Sequence, residues 1–430
     1  MAVLFEADGG PVEATPAFAA FDDGGAETLP VLALTASTDY AMQVVASDAD
    51  GRVARSPVMG FSTGVLPANI GTWSTFNVTQ PGTVSPGYIL IAKQPFGPAA
   101  GSTQTPMSIV DRSGRVVWYV EELPPGNGDF QKQPDGTYTI ATFGAHLDIP
   151  TAFPSTYQRV DVLGNSLGTL NIPEEDGGRT DNHEMRVLPS GDALLLGVYI
   201  TQMDLTAYDV GSNANVVENT LWRLAPDGGV EFAWSSETAS TPADVASFVS
   251  FATSPLDAVH ANSIDVTSDG NYLVSSRHMD AVLKIDSQTG DVIWRLGGKR
   301  SDFTFVNDPI NGFSGQHYAR EIAPDDILLF DDGNDHSPSL SRAVEYQLDT
   351  TAHTATLVWS YTPPLDGAGK PIYGSAMGSA QRLPDGDTLI DYGTVSRVDE
   401  VDANGNLVWQ LTDPNPSFGL YRATFVDSLY

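Results

Sequence analysis

Cysteine is absent from the 430 residues. That excludes disulfides, thiolate nucleophiles and Cys-ligated metals, and it leaves the redox compartment open. Lysine is scarce, limited to Lys93, Lys132, Lys284, Lys299 and Lys370. No run approaches the ~20 apolar residues of a membrane-spanning helix, so no span is expected. Positive charge is short throughout: 21 Lys and Arg stand against 54 Asp and Glu, a net charge of −33. Such a field repels phosphate backbones, which removes nucleic acid from the expected partners. A Lys-poor acidic surface suits a salty environment and equally serves ordinary solubility. Either way, an anionic ligand would need a local positive site set against the overall field.

The 41 Gly and 29 Pro are scattered, as in a chain of many short strands joined by turns. Hydrophobic residues at 41% and charged residues at 17% describe a globular chain long enough for two or three domains. The start, Met1-Ala-Val-Leu-Phe-Glu-Ala-Asp, has neither the basic segment nor the apolar core of a leader. It reads like a strand entered midway, so a leader and some upstream strands are expected to precede it. Imperfect alternation over Leu34 to Ala46, a turn at Asp48-Ala-Asp-Gly51 and a strand from Val53 to Thr63 resemble the closing half of a fibronectin type III sandwich. Residues 1–66 are therefore expected to form a partial β-sandwich-like domain, with Leu66-Pro-Ala-Asn69 as linker.

From about residue 85 the chain repeats itself. Pro134-Asp-Gly136, Pro189-Ser-Gly191, Ser268-Asp-Gly270 and Pro384-Asp-Gly386 each lead into a strand, and Pro324-Asp-Asp326 is a degenerate copy. A second half recurs as Asp…Gly…Trp, ending at Trp118, Trp234, Trp294 and Trp409, and Thr356-Leu-Val-Trp359 belongs to the same set. The repeat is longer than the roughly 40–50 residues of a four-stranded blade, and the surplus is assigned to loops. With the strand at Gly87 to Ile91, the count is six. The expected fold is all-β, with a six-bladed β-propeller over residues 67–430 and the recurrent Trp as a plug between blades. The Gly-His…Trp-Asp pattern of WD proteins is absent, and no long amphipathic helix is visible; Asp244 to Phe251 allows one helical turn.

The seven histidines are His146, His183, His260, His278, His317, His336 and His353. Three of them, His183, His260 and His317, precede the turns of successive units by eight to ten residues. Innermost strands of a propeller line its axis, so equivalent positions converge there. Three imidazoles at one phase point to a functional pocket, although a single histidine at such a place is commonly structural. Arg277 ends the strand after His260 and would supply a planar cationic fork for sulfate or carboxylate oxygens. Strand alternation turns His278 away from it, into a structural or supporting place. Phe330-Asp-Asp-Gly-Asn-Asp-His336 reads either as a solvated acidic turn or as a Ca²⁺ loop without full EF-hand spacing.

The ordered set His260-Ala-Asn-Ser-Ile-Asp, Ser276-Arg-His-Met-Asp, Ile293-Trp-Arg-Leu-Gly-Gly298 and Gly315-Gln-His317 resembles the core of bacterial arylsulfate sulfotransferases. The resemblance extends over about residues 70–430, including Gly419-Leu-Tyr-Arg-Ala423 and Ser428-Leu-Tyr430. It implies a β-sandwich before a six-bladed propeller and transfer of sulfuryl from a phenolic sulfate ester to a phenol, without adenosine phosphosulfate. By the same resemblance His317 is the nucleophile, and His260, Arg277 and His183 complete the catalytic set. Asn262 and Gln316 are the substrate-binding positions. Asp181-Asn-His-Glu184 follows the Asp-x-His-Glu form of a broader branch. The resemblance implies no cofactor and no metal, a secreted or periplasmic location, an aryl sulfate and a phenol as partners, and room for a homodimer. It fits the lack of a Gly-x-x-x-x-Gly-Lys-Ser/Thr loop and of a Cys/Ser-x-Pro-x-Arg segment that would carry formylglycine. Two other classes use the same features: a non-catalytic propeller binding a sulfated or glycan ligand, and a metal-dependent lyase or hydrolase ligated by the three histidines, against which Arg277 argues.

Overall fold

The computed structural model describes residues 1–7, 10–19, 28–95, 107–120, 127–143, 155–173, 178–415 and 418–430. These residues form seven sheets. Six of them are the blades of a β-propeller, each built on four antiparallel strands in meander order. Their innermost strands are Asn127–Lys132, Arg179–Val187, Ala261–Val266, His317–Ala323, Ser379–Arg382 and Phe418–Val426. Each touches the next, and the last touches the first, so the ring closes around an axis.

Closure is made by the two ends of the propeller sequence. Phe418–Val426 pairs antiparallel with Tyr88–Pro95, with Ala423 opposite Ile91. Gly87 to Ile91, read above as opening a unit, therefore belongs to the second strand of the closing blade. A ring of independent hairpins would leave two open edges; this pairing satisfies both with backbone hydrogen bonds.

The repeated turns have a common backbone. Gly136, Gly191, Gly270 and Gly386 take φ of 82°, 89°, 84° and 95°, a region open to glycine at little cost. The degenerate copy closes on Pro324-Asp325, and Asp325 rather than Asp326 carries the left-handed φ of 58°.

The recurrent Trp lies on the outermost strand of its blade and packs against the next one. Trp234 reaches Ile264 and Tyr272, Trp294 reaches Ile327 and Val344, and Trp118 reaches Phe130 and Tyr138. Trp409 is fully buried among Ile89, Val110 and Leu420, with the Arg112 guanidinium 4.5 Å from its ring centroid. Residues 68–69, read as linker, open a short helix, Ala68–Trp73, whose Ile70 is buried in that same cluster. The allowance for a helical turn at 244–251 is met just upstream, by a single 3-10 turn at Pro242–Asp244.

The remaining sheet has five strands between Ala2 and Ser62, and no second layer faces it among the described residues. The segment before its strand Asp39–Ser47 docks on the propeller, where Leu32 joins the Trp118 cluster and its amide donates to Tyr430 Oη at 2.9 Å.

Replacing Trp409 by Ala empties a fully enclosed inter-blade site, and the expected loss is about 3–5 kcal/mol of unfolding free energy. Urea unfolding reads this as a lower midpoint; an unchanged midpoint would remove the plug from the forces joining the blades.

Candidate active site

Regular strands alternate their side chains, and each histidine of interest sits where that regularity fails. In Arg179–Val187 the ladder slips between Thr180 and Met185, and His183 lies in the irregular stretch. His260 has φ of 54° immediately before its strand, whose register shifts between Ala261 and Ser263. The strand opened by His317 shifts before Arg320, with Tyr318 at φ 56°. Three bulges in three successive blades aim three imidazoles at one cavity.

That cavity measures about 230 Å³ and includes His183, His260, Arg277, His278, His317, Met377 and Tyr421 in its lining. It is smaller than the roughly 300–1,000 Å³ of drug-sized ligand pockets, so it suits a one-ring ligand. Tyr421 comes from the closing strand, and its hydroxyl donates to the His183 carbonyl at 2.8 Å.

Each of the three histidines is held through Nδ1 by a buried aspartate. His183 Nδ1 lies 2.6 Å from Asp181, His260 Nδ1 2.6 Å from Asp257, and His317 Nδ1 2.8 Å from Asp332. The carboxylate orients the ring, leaves Nε2 for the cavity and stabilises an imidazolium when one forms. The Met377 amide donates to His317 Nε2 at 3.2 Å. That nitrogen therefore carries a lone pair, and the proton lies on Nδ1, toward Asp332.

Burial, then the Arg277 charge, holds His317 well below the ordinary imidazole pKa. Burial likewise lowers His260 to about 3, and lowers His278. The Asp332 carboxyl is pushed well up by the same burial, so the apolar surroundings oppose charge on both members of the pair.

Arg277 is nine-tenths buried, and among the described residues no carboxylate lies within ion-pair distance of it. It donates to the Ser375 carbonyl at 2.8 Å and stands 4.9 Å from the Phe248 ring centroid, while its buried Nε has no partner. A desolvated guanidinium with an idle donor, in a chain of charge −33, is the local positive site that an anion needs.

Several expectations need correction. His278 lines the cavity instead of turning away, because its strand ends at Ser276 and a 3-10 turn, Arg277–Met279, replaces alternation. Gln316 is fully buried and donates to Ser275 Oγ and to the carbonyls of Ser276 and Ala281. Asn262, also fully buried, donates to the Gln316 carbonyl at 2.7 Å. Neither side chain is part of the cavity wall; together they fix the backbone that presents His317. The run 330–336 is solvated only toward its end, at Asp335, and its first carboxylates are not arranged for Ca²⁺. Asp331 and Asp332 are fully buried, Asp331 accepting from His336 and Arg342 while Asp332 holds His317. His353 lies beside Phe303, away from the cavity, and His146 falls outside the described residues. Among the described residues the one group with metal-ligand spacing is Asp257, His260 and His278, rather than the three histidines of the metal reading.

No repeat or motif marks Asp257 or Met377, and although Asp332 falls in the acidic run 330–336 and Tyr421 in Gly419-Leu-Tyr-Arg-Ala423, nothing in either run points to the cavity. Asp257 leaves one sequence signal, lying three residues before His260; Asp332 leaves another, just after the apolar strand Ile327-Leu-Leu-Phe330.

Below the cavity an ion network fills the axis. Arg422 bonds Asp129 at 2.6 Å and approaches Glu184 at 3.4 Å, and Arg320 bonds Glu184 at 2.5 Å. Past it, a larger cavity of about 640 Å³ opens between Lys132, Arg186 and Arg382. Size does not make it the active site: Arg186 is paired with Asp265, Arg382 with Glu345, and no imidazole reaches it.

A family model for arylsulfotransferases (ASST) matches residues 155–413. This chain belongs to that family. The match spans all four residues expected to be catalytic, His183, His260, Arg277 and His317, and all three His-Asp pairs, while the closing strand with Tyr421 lies beyond it. No curated protein matches in sequence. Among solved structures, a protein of unknown function from Bacteroides caccae aligns with TM-score 0.50 at 14% identity, over 80% of this chain and all of that one. A virginiamycin B lyase from Staphylococcus aureus aligns at 0.39 and 12%, over 80% and 90%. At these identities the likeness concerns fold alone.

The depressed His260 pKa has a stability consequence. Its folded value, about 3, lies under the unfolded ~6.5, so its contribution is full above pH 6.5 and is lost as pH falls toward 3. Relative to His260→Gln, the wild type should lose about 2 kcal/mol of unfolding free energy between pH 7 and 5. A pH-independent difference would place His260 in a more polar setting than the cavity described.

Proposed function

We propose that the protein moves a sulfuryl group from a phenolic sulfate ester to a phenol by way of a sulfohistidine at His317. One observation carries this: three Asp-anchored imidazoles and an arginine without a carboxylate partner surround a single one-ring cavity. The family membership supports the same class of reaction.

A sulfate ester is a weak electrophile until its oxygens are held and its leaving group is stabilised. Arg277 offers its idle donor to the sulfuryl oxygens, with His183 and His260 beside it. His317 Nε2, neutral because it is buried beside Arg277, attacks sulfur in line as the S–O bond to the phenolate breaks. Asp332 accepts the hydrogen bond from Nδ1–H throughout and steadies the positive charge that grows on the ring. The acceptor phenol then attacks the N-sulfo group and frees His317. Two half-reactions through one covalent intermediate make the kinetics ping-pong. No nucleotide, cofactor or metal enters the scheme. Residues 67–430 form the catalytic unit, residues 1–66 are an accessory β-unit, and the protein works in the periplasm or outside the cell.

Phenolate release from 4-nitrophenyl sulfate, with and without phenol, tests the scheme. Wild type should release phenolate, phenol should stimulate it, and His317→Ala should abolish it. Release surviving in the variant would remove His317 as nucleophile; no turnover by either protein with a range of aryl sulfates would favour a propeller that only binds. With His317 as nucleophile, the acid limb of kcat/KM should also fall below the ~6.5 of free imidazole.

A further inference from the structure

Transfer between two phenols moves one proton as well as one sulfuryl group, since the donor leaves as a phenol and the acceptor arrives as one. In an in-line displacement the leaving oxygen stands on the side of sulfur opposite His317 Nε2. The group that handles its proton must therefore lie across the cavity from His317.

His183, His260 and His278 form a row, with ring centroids 4.7 Å apart for the first pair and 4.5 Å for the second. His278 is the member of that row farthest from His183, with His260 between them, and it lines the same cavity as His317. It stands at the end of the row, beside Phe248, whose ring meets it edge-on at 5.8 Å and also faces Arg277.

The tautomer of His278 is fixed by its partner. Nδ1 lies 2.7 Å from the Asp257 backbone carbonyl, which can only accept, so Nδ1 carries the hydrogen and Nε2 the lone pair. Among the described residues nothing bonds that Nε2, and the ring lines the cavity.

We propose that His278 is the general acid–base of the transfer, a role that rests on the sulfuryl-transfer reading above. When donor is consumed, the His317 Nε2–S bond forms, the S–O bond breaks, and imidazolium His278 gives its Nε2 proton to the departing phenolate oxygen. When acceptor reacts, its O–H proton passes to His278 Nε2 as the new O–S bond forms and the N–S bond breaks. The resting ring takes its first Nε2 proton from solvent; thereafter the proton taken from one acceptor is the proton handed to the next donor, so each later cycle balances. His183 and His260 are left to face the sulfuryl oxygens.

The test compares two donors in wild type, His278→Gln and His260→Gln. 4-Nitrophenyl sulfate has a leaving group that departs without help, whereas phenyl sulfate needs protonation. Loss of a general acid typically costs about 10²–10⁴-fold, so His278→Gln should lose that much on phenyl sulfate and under about tenfold on 4-nitrophenyl sulfate. Intact mass after 4-nitrophenyl sulfate alone should show one added SO₃ in wild type and in His278→Gln, establishing a folded, competent site. An equal loss on both donors, with the adduct still formed, would overturn the role of His278 and leave the transfer scheme standing. Donor dependence appearing in His260→Gln instead would move the role to His260. If wild type forms no adduct and releases no phenolate, the transfer scheme itself falls, and this proposal with it.

Discussion

The pairing of Phe418–Val426 with Tyr88–Pro95 is the contact on which the rest depends. Blades of a propeller bury their faces against neighbours, and an unclosed ring would expose two of those faces together with two strand edges. The closing strand also delivers Tyr421 to the cavity wall and Arg422 to the axis beneath it. Fold stability and site assembly are thus one event: the histidines converge only when the last strand of the chain has paired with the first strands of the propeller.

Electrostatics in the axis run against those of the whole molecule. The chain carries −33, yet on the axis Arg422 and Arg320 are balanced by Asp129 and Glu184, while Arg277 above them has no such partner. The network lies between the two axial cavities and gives the smaller one a floor of paired charges. Burial does the rest. It holds His317 and His260 below the ordinary imidazole range, and therefore nucleophilic or basic, while Asp332 and Asp257 behind them stand ready to balance a proton's charge when it arrives.

Much of this was legible in the repeat. Turn glycines, outermost-strand Trp residues and the phase of His183, His260 and His317 followed from period and position, because each unit solves the same packing problem with the same residues. Arg277 followed from its place at the end of the strand after His260, and resemblance added the roles and the order of the set. Gln316 and Asn262 were misplaced, since a motif records which residues recur and not which way they face; both serve the backbone of His317. His278 was misplaced for a local reason, a 3-10 turn where alternation was assumed.

By itself the sequence determined the all-β class, the six units, the acidic field and the three histidines that share one phase, all of them properties of local pattern. Tertiary structure alone decided which carboxylates stand behind those histidines, that His278 faces the cavity, and that Arg277 lacks a carboxylate partner among the described residues. Such facts depend on distances between groups as far apart in the chain as Arg277 and Ser375, or His183 and Tyr421, which only the closed ring brings into contact.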